Sequence, residues 1–233
     1  MHDEIVFASD MAQAILTFRG GADGEEPPLR IIQGPRTQLE GPDRADVDPV
    51  HNEYYVVEDE HVLVYPRMGV GDVAPLRVIR GPDTLLQGAS AIAVDPVNNL
   101  IIVRAASPLA RRGSQLLIFN RTDNGNVKPR AVIGGPKTGL MEGSASNSQL
   151  RVYPAKGLIF APYKRSEMDE NGDLNDVLAI WSIHDDGDVP PIWALGGPKA
   201  KIHGLRVAFN PKAKEVVVGG GRTLKAFYLP EIF

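Results

Sequence analysis

Apolar residues along this chain fall in short runs of about four to six, separated by clusters of Gly, Pro, Asn and Asp. Between Ser90 and Leu140 the pattern reads AIAVDPVNN, LIIV, QLLIFNRTDNGN and PRAVIGGPKTGL. Each run is rich in β-branched residues and is bounded by turn formers, which predicts four short strands rather than a helix. We label them a, b, c and d in chain order. Asp-Pro closes strand a, because proline cannot donate to a central ladder. Asn-Gly after strand c predicts a hairpin turn.

This unit recurs on both sides of itself. Strand a ends at Val47-Asp48-Pro49, Val94-Asp95-Pro96, Val152-Tyr153-Pro154 and Phe209-Asn210-Pro211. Gly24, Gly71, Gly125 and Gly187 each stand four residues before a proline, and the strand that follows ends at Gly34-Pro35, Gly81-Pro82, Gly135-Pro136 or Gly197-Pro198. Thr37, Thr84 and Thr138 follow in Gly-Pro-x-Thr, where a hydroxyl can brace the connection by bonding nearby backbone. Arg19, Arg67 and Arg121 recur after strand c and are expected at the blade edge.

A four-stranded unit of about 50 residues is the size of a propeller blade, and one blade alone cannot bury both of its faces. The fold expected is therefore all-β: one β-propeller domain over residues 1–233, with five blade units at 1–41, 42–88, 89–143, 144–200 and 201–233. The first unit holds only b, c and d, and the last only a, b and c, so both are three-stranded. Met1-His2-Asp3-Glu4 aligns with Val50-His51-Asn52-Glu53, so the chain opens where a strand a should have finished. We therefore expect the C-terminal part of a longer protein, and self-association of the isolated chain through open blade edges.

Composition narrows the functional classes. The net charge is −4 and no block of like charge stands out, which points away from nucleic acid. There is no cysteine, which excludes disulfides, thiolate metal sites and a cysteine nucleophile. No apolar run approaches the ~20 residues of a membrane-spanning helix. The N-terminus MHDEIVFASD lacks the basic and apolar regions of a signal peptide.

The pattern IAVDP-turn-LIIV-loop-LLIF resembles the NHL-type and related six-bladed β-propellers, with this chain as an N-terminally truncated member. The resemblance spans the whole chain. It implies an extracytoplasmic (periplasmic or secreted) setting and two functional classes. The first is a non-enzymatic scaffold binding a protein, glycan or small ligand on its loop face. The alternative is a hydrolase or lyase of the lactonase type with a metal at the channel mouth. The chain departs from the usual NHL pattern in its Asp-Pro and in its Gly-Pro-x-Thr-x-Leu connection.

In a propeller the b–c and d–a loops share one face around the channel mouth. That face is expected to carry Asp10, Glu58, Asp59, Arg104, Tyr163, Lys164 and Arg165 from b–c, with Arg44 and His203 from d–a. Mixed charge of this kind suits a polar ligand and also suits any solvated rim. His2 and His51 occupy equivalent turn positions and read as scaffold, and His184 lies in a c–d turn. The longest b–c segment, Pro162 to Asp176, reads as an acidic loop. Its Asp169-x-Asn171-Gly172-Asp173-x-Asn175 spacing resembles a calcium loop but lacks the closing glutamate, so calcium is the divalent cation it would admit. No cofactor motif is present, and neither a Gly-x-Ser-x-Gly nor a phosphate-binding loop occurs.

Overall fold

The computed structural model describes residues 3–42, 44–111, 113–141, 149–168, 174–202, 206–220 and 223–233. Eighteen strands form five antiparallel sheets, in the arrangement of a five-bladed β-propeller. Blade 1 holds β1 (Glu4–Ser9), β2 (Ala14–Arg19) and β3 (Arg30–Gln33). Blade 2 holds β4 (Arg44–Asp48), β5 (Glu53–Glu58), β6 (His61–Pro66) and β7 (Arg77–Arg80). Blade 3 holds β8 (Ala91–Asp95), β9 (Leu100–Ala106), β10 (Ser114–Asn120) and β11 (Ala131–Ile133). Blade 4 holds β12 (Arg151–Tyr153), β13 (Leu158–Met168), β14 (Leu174–Ser182) and β15 (Trp193–Leu195). Blade 5 holds β16 (Arg206–Asn210), β17 (Glu215–Gly220) and β18 (Thr223–Tyr228). The first and last sheets are three-stranded and the rest four-stranded. Among the described residues the helical elements are four short 3-10 turns, and no helix is long and apolar enough to cross a membrane.

Blades that are covered on both faces explain the near-continuous apolar strands. Every residue of β5 is buried. Its odd and even positions go to different cores: Tyr54 and Val56 pack toward blade 1, whereas Tyr55 and Val57 pack toward blade 3. The same division gives one apolar core between each pair of consecutive blades. Burial of each Val, Leu, Ile or Phe side chain contributes about 1.5–3 kcal/mol, so the blade interfaces carry the fold. The first strands of neighbouring blades touch, β4 with β8 and β8 with β12, which puts strand a nearest the axis.

Asp48 and Asp95 are fully buried and close the a–b turn. Asp48 Oδ1 accepts from the Val50 and His51 N–H groups (both 2.8 Å), and its Oδ2 lies 2.7 Å from His51 Nδ1. Asp95 Oδ1 accepts from Val97 and Asn98. The threonines act as anticipated: Thr37, Thr84 and Thr138 donate to Gly34, Gly81 and Gly135 carbonyls at 2.6–2.7 Å.

Two expectations are corrected. Arg67 and Arg121 do not lie at a free edge. Each crosses to the preceding blade, Arg67 to Glu4 (2.8 Å) and Arg121 to Glu53 (2.9 Å). Arg19 is not their equivalent, since the backbone bonds Arg67 N–H to Asn52 O and Arg121 N–H to Asn99 O correspond to Gly20 N–H to Asp3 O. Gly20 stands four residues before Gly24, as Arg67 does before Gly71 and Arg121 before Gly125, whereas Arg19 stands five before it. The Pro162–Asp176 segment is not a plain loop either. β13 and β14 extend as a hairpin through Lys164↔Asp176 to Met168↔Leu174, with a register shift between Lys164 and Met168. The calcium-like residues 169–173 lie outside the described residues.

Candidate functional site

The b–c turns and d–a connections meet on one face. Glu58, at the end of β5, accepts from Glu40 N–H (3.2 Å) and Gly41 N–H (3.3 Å) of the preceding d–a connection, with His61 Nε2 at 3.3 Å. Asp10 lies beside the same connection, its Oδ1 3.1 Å from where a Cβ on Gly41 would sit. Asp59 accepts through its carbonyl from Ala89 N–H (2.7 Å) and keeps its side chain exposed. Arg104 is fully buried and donates to Pro162 O of the next blade (2.7 Å). Desolvation pushes its pKa down to about 9, and the guanidinium still carries its charge at neutral pH. Tyr163 is buried with its hydroxyl against Gly139. That contact, together with a φ of 76°, is why glycine stands there. Arg44 opens β4 and is half-buried. Lys164 and Arg165 belong to β13, but their side chains, like all of His203, lie outside the described residues.

Glu58, Arg104 and Tyr163 are thus buried where blades and connections join, whereas Asp10 and Asp59 face solvent. Among the described residues no three or more His, Asp or Glu side chains gather as a metal-binding group.

The face carries a groove that sequence reasoning missed. In blade 2 it is a cavity of about 610 Å³ over Gly81-Pro82 and Leu85–Gln87, reached from Glu60 and Arg80 and walled by Ala106, Ser107 and Pro108 of blade 3. Blade 1 repeats it at about 440 Å³, with Gln13, Gln33, Gly34-Pro35 and Gln38–Glu40 in the corresponding places. Leu85 stands at φ 59° and Gln38 at φ 62°, at the equivalent position where blade 3 has Gly139. A left-handed non-glycine residue costs roughly 1–2 kcal/mol, and Leu85 is also an exposed apolar side chain. The only sequence trace was the repeated Gly-Pro-x-Thr itself.

Nearer the axis, Asp46 of β4 accepts from Val94 N–H of β8 (2.8 Å) and lies 3.5 Å from Arg151 Nη1 of β12. It links blades 2, 3 and 4; the same strand position is Ala93 in blade 3 and Arg151 in blade 4. Burial pushes the Asp46 pKa up, and Arg151 pulls against it.

No protein-family model matches this chain, and no curated protein matches it. Its fold is similar to a solved structure, a functionally unknown protein from Desulfotomaculum acetoxidans. The TM-score is 0.56 at 12% identity, over 97% of this chain and 75% of that one. At that identity the likeness shows the β-propeller fold and nothing about activity. The fold is a β-propeller.

Proposed function

We propose that this propeller is a binding scaffold that takes an extended polypeptide segment on its b–c/d–a face. The observation that carries this reading is the groove repeated at the same place on blades 1 and 2 with different linings. A volume of several hundred Å³ with a few polar groups at an apolar floor suits one or two side chains of a ligand. Repetition along the ring suits a ligand that runs across blades. Pro82, Leu85 and Leu86 would meet an apolar side chain, with Glu60 and Arg80 at the ends. Asp10 and Asp59 on the exposed rim, with Arg44, Lys164, Arg165 and His203, would supply the surrounding charge. The repeat pattern supports the NHL-type placement of the scaffold, and that resemblance implies an extracytoplasmic setting.

The test is selection of a displayed random peptide library on the 233-residue chain, followed by titration of a selected peptide. Leu85→Glu should weaken binding at least tenfold, and Leu224→Glu, on blade 5, should leave it unchanged. Equal affinity for both variants would remove the groove as the site.

A further inference from the structure

Among the described residues, one face of blade 1 has no neighbour. On it, Ile5 lies directly opposite Phe18, Phe7 opposite Leu16, and Leu16 opposite Ile31, which makes a continuous apolar surface. The four equivalent positions of the next three blades are Tyr54, Val56, Leu63 and Tyr65, then Ile101, Val103, Leu117 and Phe119, then Ile159, Ala161, Ala179 and Trp181. All twelve are at most 1% exposed. In blade 1, Ile5 is 50% and Phe7 56% exposed. The chemistry of the position is that of an interface, and solvent is where the neighbour should be.

The existing interfaces show what a neighbour must bring. In the three interfaces from blade 1 to blade 4, the turn glycine of one blade meets the outer strand of the blade before it. Gly71 bridges Ile32, Gly125 bridges Ile79 and Gly187 bridges Ile133, each with its N–H donating to that outer strand at 2.7 Å. The residue after each glycine then accepts from the 3-10 turn that follows the strand: Asp72 from Arg36 N–H, Asn126 from Asp83 N–H and Asp188 from Lys137 N–H. Gly34, Gly81 and Gly135 must lack a Cβ, which would come within 2.4–2.6 Å of those acceptors. Blade 1 carries its half of this device, Gly24 at φ 60° followed by Glu25, with the same backbone sign as Gly71.

We propose that the outward face of blade 1 docks a four-stranded blade of this same repeat, one whose outer strand ends in Gly-Pro and bridges Gly24. The occupant is a protein partner that carries such a blade. Blade 5 of a second copy is a poorer fit. Its free face is Ala208, Val217, Ala226 and Gly219 with Leu224 and Tyr228, and its sheet has no outer strand to meet Gly24. Glu215 on that face stands where Glu4 and Glu53 receive arginines, so the partner blade's far side would present an arginine to it.

The chain supplies its own probe. Residues 29–96 contain strands in the order d, a, b, c, d, a, and Pro96 leads into Val97, the position equivalent to Met1. Fusing a copy of residues 29–96 directly before Met1 should complete both three-stranded sheets and place a blade on the face. The expected result is a melting temperature raised by at least about 5 °C, loss of apolar-dye binding, and slowed amide exchange in β1 and β2. Phe7→Asp should leave the melting temperature of the 233-residue chain within about 2 °C, since the side chain is exposed there, and should cancel the gain in the fused chain. A fused chain whose gain survives Phe7→Asp, or that shows no gain, overturns the proposal. So does a 233-residue chain that dimerises on its own and is made monomeric by Phe7→Asp, because the occupant would then be a second copy.

Discussion

Glu53 illustrates how single residues hold blades together. Its carboxylate receives Arg77 from its own blade (2.7 Å), Arg121 from the next (2.9 Å) and the Tyr55 hydroxyl. Glu4 repeats this with Arg30 (2.7 Å) and Arg67 (2.8 Å). Burial alone would raise both carboxyl pKa values, but the guanidinium hydrogen bonds outweigh it and hold both below the usual range. Because the folded pKa lies under the unfolded one, near 4.3, these carboxylates stabilise the fold above that pH. The stabilisation is lost as pH falls through the folded values. Urea unfolding should therefore show a midpoint that drops between pH 5 and 3. Glu53→Gln should cost roughly 2–3 kcal/mol at pH 7, because two arginines lose their anion in a mostly buried place, and much less at pH 3. A pH-independent cost would mean that the pair contributes shape rather than charge. At the connections, Thr84→Val keeps the volume but removes the hydroxyl that donates to the Gly81 carbonyl and accepts from the Leu86 N–H; the carbonyl keeps the Thr84 N–H, and the Leu86 N–H loses its hydroxyl acceptor. The substitution should cost about 1–2 kcal/mol by thermal unfolding.

At the scale of the element, two kinds of glycine do different work, and substitution separates them. Gly71, at φ 74°, has nothing within 4 Å of a would-be Cβ, so Gly71→Ala should cost only its dihedral strain, roughly 1–2 kcal/mol. Gly81, at φ 131°, would set a Cβ 2.4 Å from Asn126 Oδ1. Gly81→Ala must therefore also displace Asn126 from Asp83 N–H, and its melting temperature should fall further than that of Gly71→Ala. Equal losses would show that the inter-blade acceptor is dispensable. The strands and these glycines were legible in the sequence because each repeats a local signal: β-branched runs, Asp-Pro and Gly-Pro. What escaped was whatever joins distant positions. The Glu4–Arg67 and Glu53–Arg121 bridges lie 63 and 68 residues apart, and the Asp46–Arg151 contact crosses three blades. The two Glu–Arg bridges repeat from blade to blade, but nothing local in the sequence pairs their members, and the Asp46–Arg151 contact does not repeat among the described residues. Gly20, not Arg19, takes the place of Arg67, and a count of four residues back from the turn glycine separates the two. For the site, Glu58, Arg104 and Tyr163 were legible as members of the loop face but not as buried side chains. Burial there depends on how d–a connections fold over strand ends.

For the whole molecule, five sheets share four cores, each between consecutive blades, so stability is close to a sum of nearest-neighbour terms. Blade 3 sits between two complete neighbours. The long central strands β9 and β10 are buried along all but their last residue. Among the described residues, blade 1 leans on one neighbour only, and so does blade 5. The latter's contact is helped by its C-terminal segment, where Phe233 packs edge-on to Tyr153 at 5.0 Å. Opening a central blade breaks two cores, whereas opening a terminal blade breaks one. Native-state amide exchange should therefore rank the strands: β9 and β10 slowest and near the global unfolding free energy, β1 and β18 fastest and opening by a sub-global route. Truncating Phe233 to Ala should speed exchange in β16–β18 and leave β9 and β10 unchanged at low denaturant, because the lost contact belongs only to the core between blades 4 and 5. Uniform protection across all five sheets, or a Phe233→Ala effect that reaches blade 3 undiminished, would mean that the blades unfold as one unit and that coupling around the ring exceeds what adjacent cores supply.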